Sequence, residues 1–299
     1  MLNFTDLSLE NKHIIMDHIA KFESYSDYNF ASLFHWNVQL GIQFAFVGQA
    51  LILMMTDYLN GQKFLTILSD NDIDEAIEAC HQTALELGID PTLRLVPEIT
   101  VKNIKNTMRV TVDEDPDSHD YILDVDSLAE MRASVYRGKR NLLNRFHRVY
   151  GERTSAGFID LNDDNNKRDM LALADSWRQH TTQVTDDTIN EFNAIERSIH
   201  NSHHLQIRAF GVFIDDKLEA FSIIEDLPES GLMLHFDKAN REFAGIYEFL
   251  KNELALHVQR EGKKWINFQQ DLGIEGLRFM KESYKPIKKL KKHTVRLNV

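Results

Sequence analysis

His235 and Asp237 stand two apart in an apolar run, where strand alternation would place both on one face. So arranged, the imidazole can take a proton from an attacking amine or hydroxyl while the carboxylate orients the ring; a hydrogen-bonded histidine at a strand end would read the same way. Tyr247 carries a hydroxyl suited to protonating a leaving group, and beside Ile246 and Phe249 it can equally belong to a core. Asn267, Gln269 and Asp271 alternate out of an apolar strand into Gly273. That spacing puts three hydrogen-bonding side chains on one side as the chain leaves a sheet, where ligands of open α/β folds bind. The plainer reading is strand-end capping, with Asp271 serving the helix that follows.

A second group is basic. Between Met131 and Gly151 lie Arg132, Arg137, Lys139, Arg140, Arg145 and Arg148 with no acid among them. Lys139, Arg140, Asn144 and Arg145 suit phosphate groups of a nucleotide or nucleic acid, and Asn141 and Arg145 share a helix face. The same arginines can pair with the chain's surplus acids. The stretch from Lys285 onward is also basic, with Lys285, Lys288, Lys289, Lys291, Lys292 and Arg296. Either run alone reads as a solvated face; two of them in an acidic chain favour an anionic ligand.

Other patterns carry no chemistry. Asp70, Asp72 and Asp74 begin like a calcium loop, but Glu75 stands where glycine is needed and His81 where the bidentate Glu belongs; an acidic helix start is expected instead. His200, His203 and His204 lack a metalloprotease-type spacing, so no metal is expected. No phosphate-binding P-loop, nucleophile elbow or dinucleotide fingerprint occurs.

The elements that must position these residues follow from periodicity. Helical spacing runs over 11–21, 72–87, 136–150, 166–183, 187–200, 244–261 and 275–284, with Gly88 ending the second. Strands are expected at 44–55 (a buried pair), 63–68, 93–97, 108–113, 121–125, 157–161, 205–214, 219–225, 232–236 and 265–268, with a helical turn at 101–106. Leu59-Asn60-Gly61-Gln62 has hairpin-turn chemistry. The two halves repeat this order without a visible sequence repeat, which predicts a mixed α/β protein with lobes at 1–135 and 136–299 and a basic interdomain helix at 136–150.

Composition narrows the class. The chain of 299 residues is 43% hydrophobic and 27% charged, ordinary for a globular protein, and its net charge of -12 argues against a coat of nucleic acid. Cys80 is the sole cysteine, so no intrachain disulfide or thiolate cluster can form, and a reducing, cytoplasmic setting is expected. Residues 1–14 lack a signal pattern. The most apolar run, 44–55, is about half of the roughly 20 residues a bilayer span needs, so no integral membrane segment is expected.

Three stretches together resemble a known family: Ser26-Asp27-Tyr28-Asn29-Phe30 with Phe34-His35-Trp36; Tyr136 through Phe146; and Ile266 through Arg278, running on to Ser283-Tyr284-Lys285-Pro286. The chain is similar to the C-terminal domain of phosphatidylglycerol lysyltransferases (DUF2156), related to Fem-type aminoacyltransferases. The resemblance implies two tandem GNAT-like lobes, each a mixed, largely antiparallel sheet flanked by helices, with the working site in the second. It also implies transfer of an acyl or aminoacyl group from acyl-coenzyme A or aminoacyl-tRNA to an amine or hydroxyl of a small-molecule or peptide acceptor, with no tightly bound cofactor. Arg278 and Tyr284, in the third stretch, join the candidate substrate contacts. GNAT enzymes grip the donor's pyrophosphate at a helix N-terminus through Q/R-x-x-G-x-G/A. The matching stretch here, Asn240 to Tyr247, keeps Arg241 and one glycine, Gly245, at a shifted spacing. A binding module with a decayed donor loop fits that departure as well as an enzyme does.

Overall fold

Residues 2–37, 41–57, 61–132, 134–179 and 186–298 are described in a computed structural model. Leu59 and Asn60 of the expected hairpin turn, and the end of the helix expected to reach Gln183, lie outside these residues.

In chain order the elements are β1 (Thr5–Asp6), α1 (Lys12–Ile19), α2 (Phe30–Trp36), β2 (Gln43–Val47), β3 (Ala50–Thr56), β4 (Lys63–Leu68), α3 (Ile73–Leu87), β5 (Leu93–Pro97), α4 (Glu98–Lys102), β6 (Val110–Glu114) and β7 (Asp120–Asp124). Next come α5 (Val125–Glu130) and α6 (Arg137–Tyr150). The order then repeats: β8 (Thr154–Ile159), α7 (Asp164–Gln179), α8 (Asp186–His200), the short α9 (Ser202–Leu205), β9 (Ile207–Ile214), β10 (Lys217–Leu227), β11 (Gly231–Ala239), α10 (Ile246–Arg260), β12 (Trp265–Asn267), α11 (Glu275–Ser283), β13 (Lys288–Leu290) and β14 (Lys292–Leu297). Strand, two helices, three-strand meander, helix, strand, helix and two strands occur twice, with the short α9 added in the second copy, which makes this a tandem mixed α/β chain.

The chain forms two compact units, one of residues 1–120, 270–274 and 289–299, the other of 121–269 and 275–288. In the first, β1-β2-β3-β4 form an antiparallel meander and β5-β14-β6 a second antiparallel set. Ile73, Ile77, Cys80 and Ala84 recur at helical spacing on α3 and bury against Ile52, Leu65 and Ile67 of the strands. Gly88, at φ 66°, closes that helix in a left-handed cap.

The second unit is built on a seven-stranded sheet, β13-β7-β12-β11-β10-β9-β8. β8 to β11 are antiparallel, β11 and β12 run parallel, and β7 returns antiparallel to β12. One face packs Phe210, Val212, Ile224, Leu232 and Leu234 against Phe249, Leu250, Leu254 and Val258 of α10. α7 and α8 take the other face.

Two features depart from the sequence reading. The strand at 121–125, expected to close the first half, sits in the second unit's sheet, with Leu123 opposite Ile266. Conversely β14 lies between β5 and β6, with His293 opposite both Val96 and Glu114. Each half therefore ends in a strand that completes the other unit, and each unit is drawn from more than one segment of the chain. Strand periodicity records burial, not which sheet supplies the partner. The basic stretch after Lys285 is likewise no uniform solvated face: Lys292 is fully buried, ion-paired to Asp27 and 2.8 Å from Asp120 Oδ1.

Candidate functional site

The second unit's sheet comes apart beside β11. β12 pairs with it only from Gly231↔Trp265 to Met233↔Asn267, whereas β11 continues to Ala239. At the divergence the register with β10 skips His235: Ile224 faces Leu234 and Ile223 faces Phe236. Such a bulge re-aims the side chains that follow it.

That bulge undoes the expected His235–Asp237 dyad. His235 Nε2 lies 3.1 Å from Glu225 Oε2, on the side of β10 opposite Ser222. Asp237 faces the α10 side, accepting from Ser222 Oγ at 2.5 Å and pairing with Lys251 Nζ at 2.6 Å. Alternation would have kept the two together; one inserted residue sends them to opposite faces.

On the α10 face a polar cluster surrounds Lys251. Burial alone would lower its pKa, yet the Asp237 carboxylate and the Tyr284 ring's hydroxyl carry it above the usual ammonium range. Lys251 Nζ is 5.1 Å from the Tyr247 ring and 5.9 Å from that of Tyr284. Tyr284 is buried, its phenol pushed up by desolvation, and its carbonyl accepts from Tyr136 Oη at 2.8 Å. Lys139, reaching in from α6, stacks 3.4 Å over the Tyr284 ring with Glu248 at 3.8 Å. Burial, with Lys251 nearby, lowers Lys139 to about 8 against Glu248's opposing pull.

On the other face Lys238 is buried between Glu191 Oε1, at 2.7 Å, and the Trp177 ring, at 3.4 Å; its pKa is lowered by desolvation. Arg241 lies 5.3 Å from the same ring. Trp177 Nε1 is buried without a hydrogen bond of standard geometry, and the Tyr247 hydroxyl is within its reach. Tyr247 is thus where the two faces meet, at the C-terminal end of β11, with its phenol raised by burial.

The remaining expected residues divide. Asn267 is fully buried and accepts from the Gln269 amide at 2.7 Å, while the Gln269 side chain donates to the Leu234 carbonyl at 3.0 Å. Gln269 thereby supplies the bond a continuing β12 would have made. Its φ of 59° breaks the strand alternation on which a shared face for Asn267, Gln269 and Asp271 was expected. Asp271 belongs to the first unit and caps the Gly273 amide at 2.9 Å. Arg278 is half-buried on α11.

Gly245 is the N-cap of α10 at φ 90°, and a Cβ there would sit 2.5 Å from the Leu142 carbonyl oxygen. Its need is close approach of α6. Arg140 donates to the Met131 carbonyl; Asn144 and Arg145 are exposed, as are Arg137 and Arg148. Of the expected phosphate contacts, Lys139 and Arg140 are committed internally and Asn144, Arg145 and Arg241 remain outward.

Sequence reasoning missed Lys251, Lys238, Glu191, Glu248 and Trp177. One signal was available: Lys251 interrupts the apolar stripe of α10 one turn after Tyr247, and a lysine in such a stripe needs a buried partner.

The chain matches the family described as phosphatidylglycerol lysyltransferase, C-terminal, over residues 19–296. It belongs to that family. Among solved structures, a conserved protein of unknown function from Bacteroides thetaiotaomicron superposes with a TM-score of 0.83 at 23% identity, covering 99% of this chain and 100% of that one. The C-terminal DUF2156 domain of a putative lysylphosphatidylglycerol synthetase from Agrobacterium fabrum gives 0.65 at 13%, covering 96% and 92%. A tandem GNAT protein from the clavulanic acid biosynthesis pathway gives 0.53 at 10%, covering 100% and 99%. These likenesses show the tandem GNAT fold. No curated protein matches the chain. Among the described residues no helix is long and apolar enough to cross a membrane.

Proposed function

We propose that this family member is an acyltransferase that moves an aminoacyl group from a carrier to an amine or hydroxyl at the C-terminal end of β11. The observation that carries the reading is the meeting there of Tyr247 with the buried Lys251–Asp237 pair, beside the point where β11 and β12 part. Acyl transfer develops negative charge on a carbonyl oxygen and on the leaving group. Lys251, held charged by Asp237, offers a fixed positive charge for the first. Tyr247, kept protonated by burial, offers a proton for the second.

Two features favour aminoacyl-tRNA over coenzyme A as the carrier. The α6 backbone lies against the N-cap of α10, where a pyrophosphate would sit, and Gln269 already satisfies the Leu234 carbonyl at the parting of the strands. The outward arginines of α6 suit tRNA phosphates. A non-catalytic binding module is the second reading, favoured by that same Gln269 bridge across the strands.

The test is direct. Aminoacyl-tRNA should retard in a gel with the protein and be released steeply by salt, while coenzyme A leaves the melting temperature unmoved. A ligand at a hundred times its Kd adds about 2.7 kcal/mol, so a coenzyme A effect of that size would reverse the donor assignment. Transfer that survives Tyr247→Phe unchanged would remove Tyr247 from the chemistry.

A further inference from the structure

We propose that Lys238, with Arg241, makes this site refuse a cationic side chain and accept one bearing a carboxylate or phosphate, so that the group it handles is anionic and not lysyl. The inference rests on the site assigned above and names the chemistry of its substrate. A protein holds an alkylammonium with a carboxylate on one side and an aromatic face on the other. That arrangement is present beside the end of β11, in Glu191 and Trp177, but the chain's own Lys238 occupies it, 2.7 Å from the carboxylate and 3.4 Å from the ring. The side chain of Lys238 is 4% exposed, so the place is filled from within.

The other acids of the cluster are committed in the same way, Asp237 to Lys251 and Glu248 to Lys139. Three carboxylates thus face three lysines, and Arg241 is a fourth cation. Arg241 is exposed, stands over the outer part of the Trp177 site, and makes no ion pair among the described residues. An incoming ammonium would find Glu191, Asp237 and Glu248 each already paired with a lysine; a carboxylate or phosphate would meet a guanidinium able to bind it through two parallel hydrogen bonds.

The experiment measures binding of three side-chain analogues to the full chain by titration calorimetry: lysinamide, norleucinamide and glutamic acid α-amide. Their backbones are identical, so the order reports side-chain charge. The expected order is glutamic acid α-amide tightest and lysinamide weakest, separated by about tenfold or more. Lys238→Ala should invert it toward lysinamide by vacating Glu191 and Trp177. Arg241→Ala, at an exposed position, should erase the anion preference with the melting temperature unchanged. Inorganic phosphate is the fourth probe: an Arg241-dependent heat from phosphate exceeding that from the glutamic side chain assigns the anion to a phosphate, and the reverse assigns it to a carboxylate. Lysinamide binding wild type as tightly as the glutamic analogue overturns this proposal alone. No binding by any probe overturns it together with the site.

Discussion

Lys251 Nζ lies 2.6 Å from Asp237 Oδ2, with the lysine side chain 5% exposed and anchored one turn from Tyr247 on α10. The pair joins a helix to the one strand of the sheet that outruns its parallel neighbour. Removing one partner leaves a charge buried without compensation, whereas removing both does not. Lys251→Met should therefore cost about 3–5 kcal/mol, and Lys251→Met with Asp237→Asn distinctly less. Urea unfolding reads both; equal losses would mean the carboxylate is satisfied without the lysine.

Lys139 should titrate far below an ordinary lysine, because burial and Lys251 hold it near about 8. Competitive acetylation with trace acetic anhydride, followed by peptide mass spectrometry, should show Lys139 reactivity rising with a midpoint near that value while exposed lysines rise near about 10.4. The stability consequence has a definite sign. A lysine whose folded pKa lies below its unfolded one binds fewer protons when folded, so stability rises with pH between the two values. Lys139→Met should flatten the urea midpoint over that window; an unchanged slope would count against the burial argument.

Gly245 and Gly138 make a matched pair of substitutions. Gly245→Ala forces a side chain into a left-handed backbone and against the Leu142 carbonyl oxygen, and should cost about 2 kcal/mol or more. Gly138→Ala, within α6 and with nothing within 4 Å of the added carbon, should be neutral or stabilise by up to about 1 kcal/mol. Thermal unfolding of the two variants decides; a harmless Gly245→Ala would show that α6 and α10 can move apart.

Lys292 is the counter-charge of two buried carboxylates in the first unit, Asp27 and Asp120, with Ser26 Oγ also donating to Asp120 at 2.6 Å. Lys292→Met should cost about 3–5 kcal/mol at neutral pH. Desolvation, with Asp120 beside it and Lys292 opposing, already raises the Asp27 pKa, so the folded state holds that proton more tightly than the unfolded chain. Stability of the variant should consequently recover as pH falls from neutral toward about 4, the unfolded value. A variant that weakens on mild acidification would contradict the assignment.

Local order was legible in the residues because it depends on near neighbours. The apolar spacing of Ile73, Ile77, Cys80 and Ala84 and the cap at Gly88 specify α3 unaided. The alternation around Leu232 and Leu234 and the stripe from Ile246 to Val258 likewise announce β11 and α10. The repeated order of elements, and with it the tandem α/β architecture, follows from the same patterns.

The site itself was decided in three dimensions. Whether His235 meets Asp237 turns on a bulge in the β10–β11 register, which no periodicity records. Whether Lys139 binds a phosphate or covers Tyr284 turns on how α6 lies against α10. The buried lysines Lys238, Lys251 and Lys292 look like surface residues in a linear reading, since an ammonium is ordinarily solvated; each is made tolerable inside by a carboxylate distant in the chain, Glu191, Asp237 and Asp27 respectively. Charge compensation acts across space at a few ångströms, while sequence patterns carry information over a few residues, so the chain alone determined its elements and only their packing determined which charges meet.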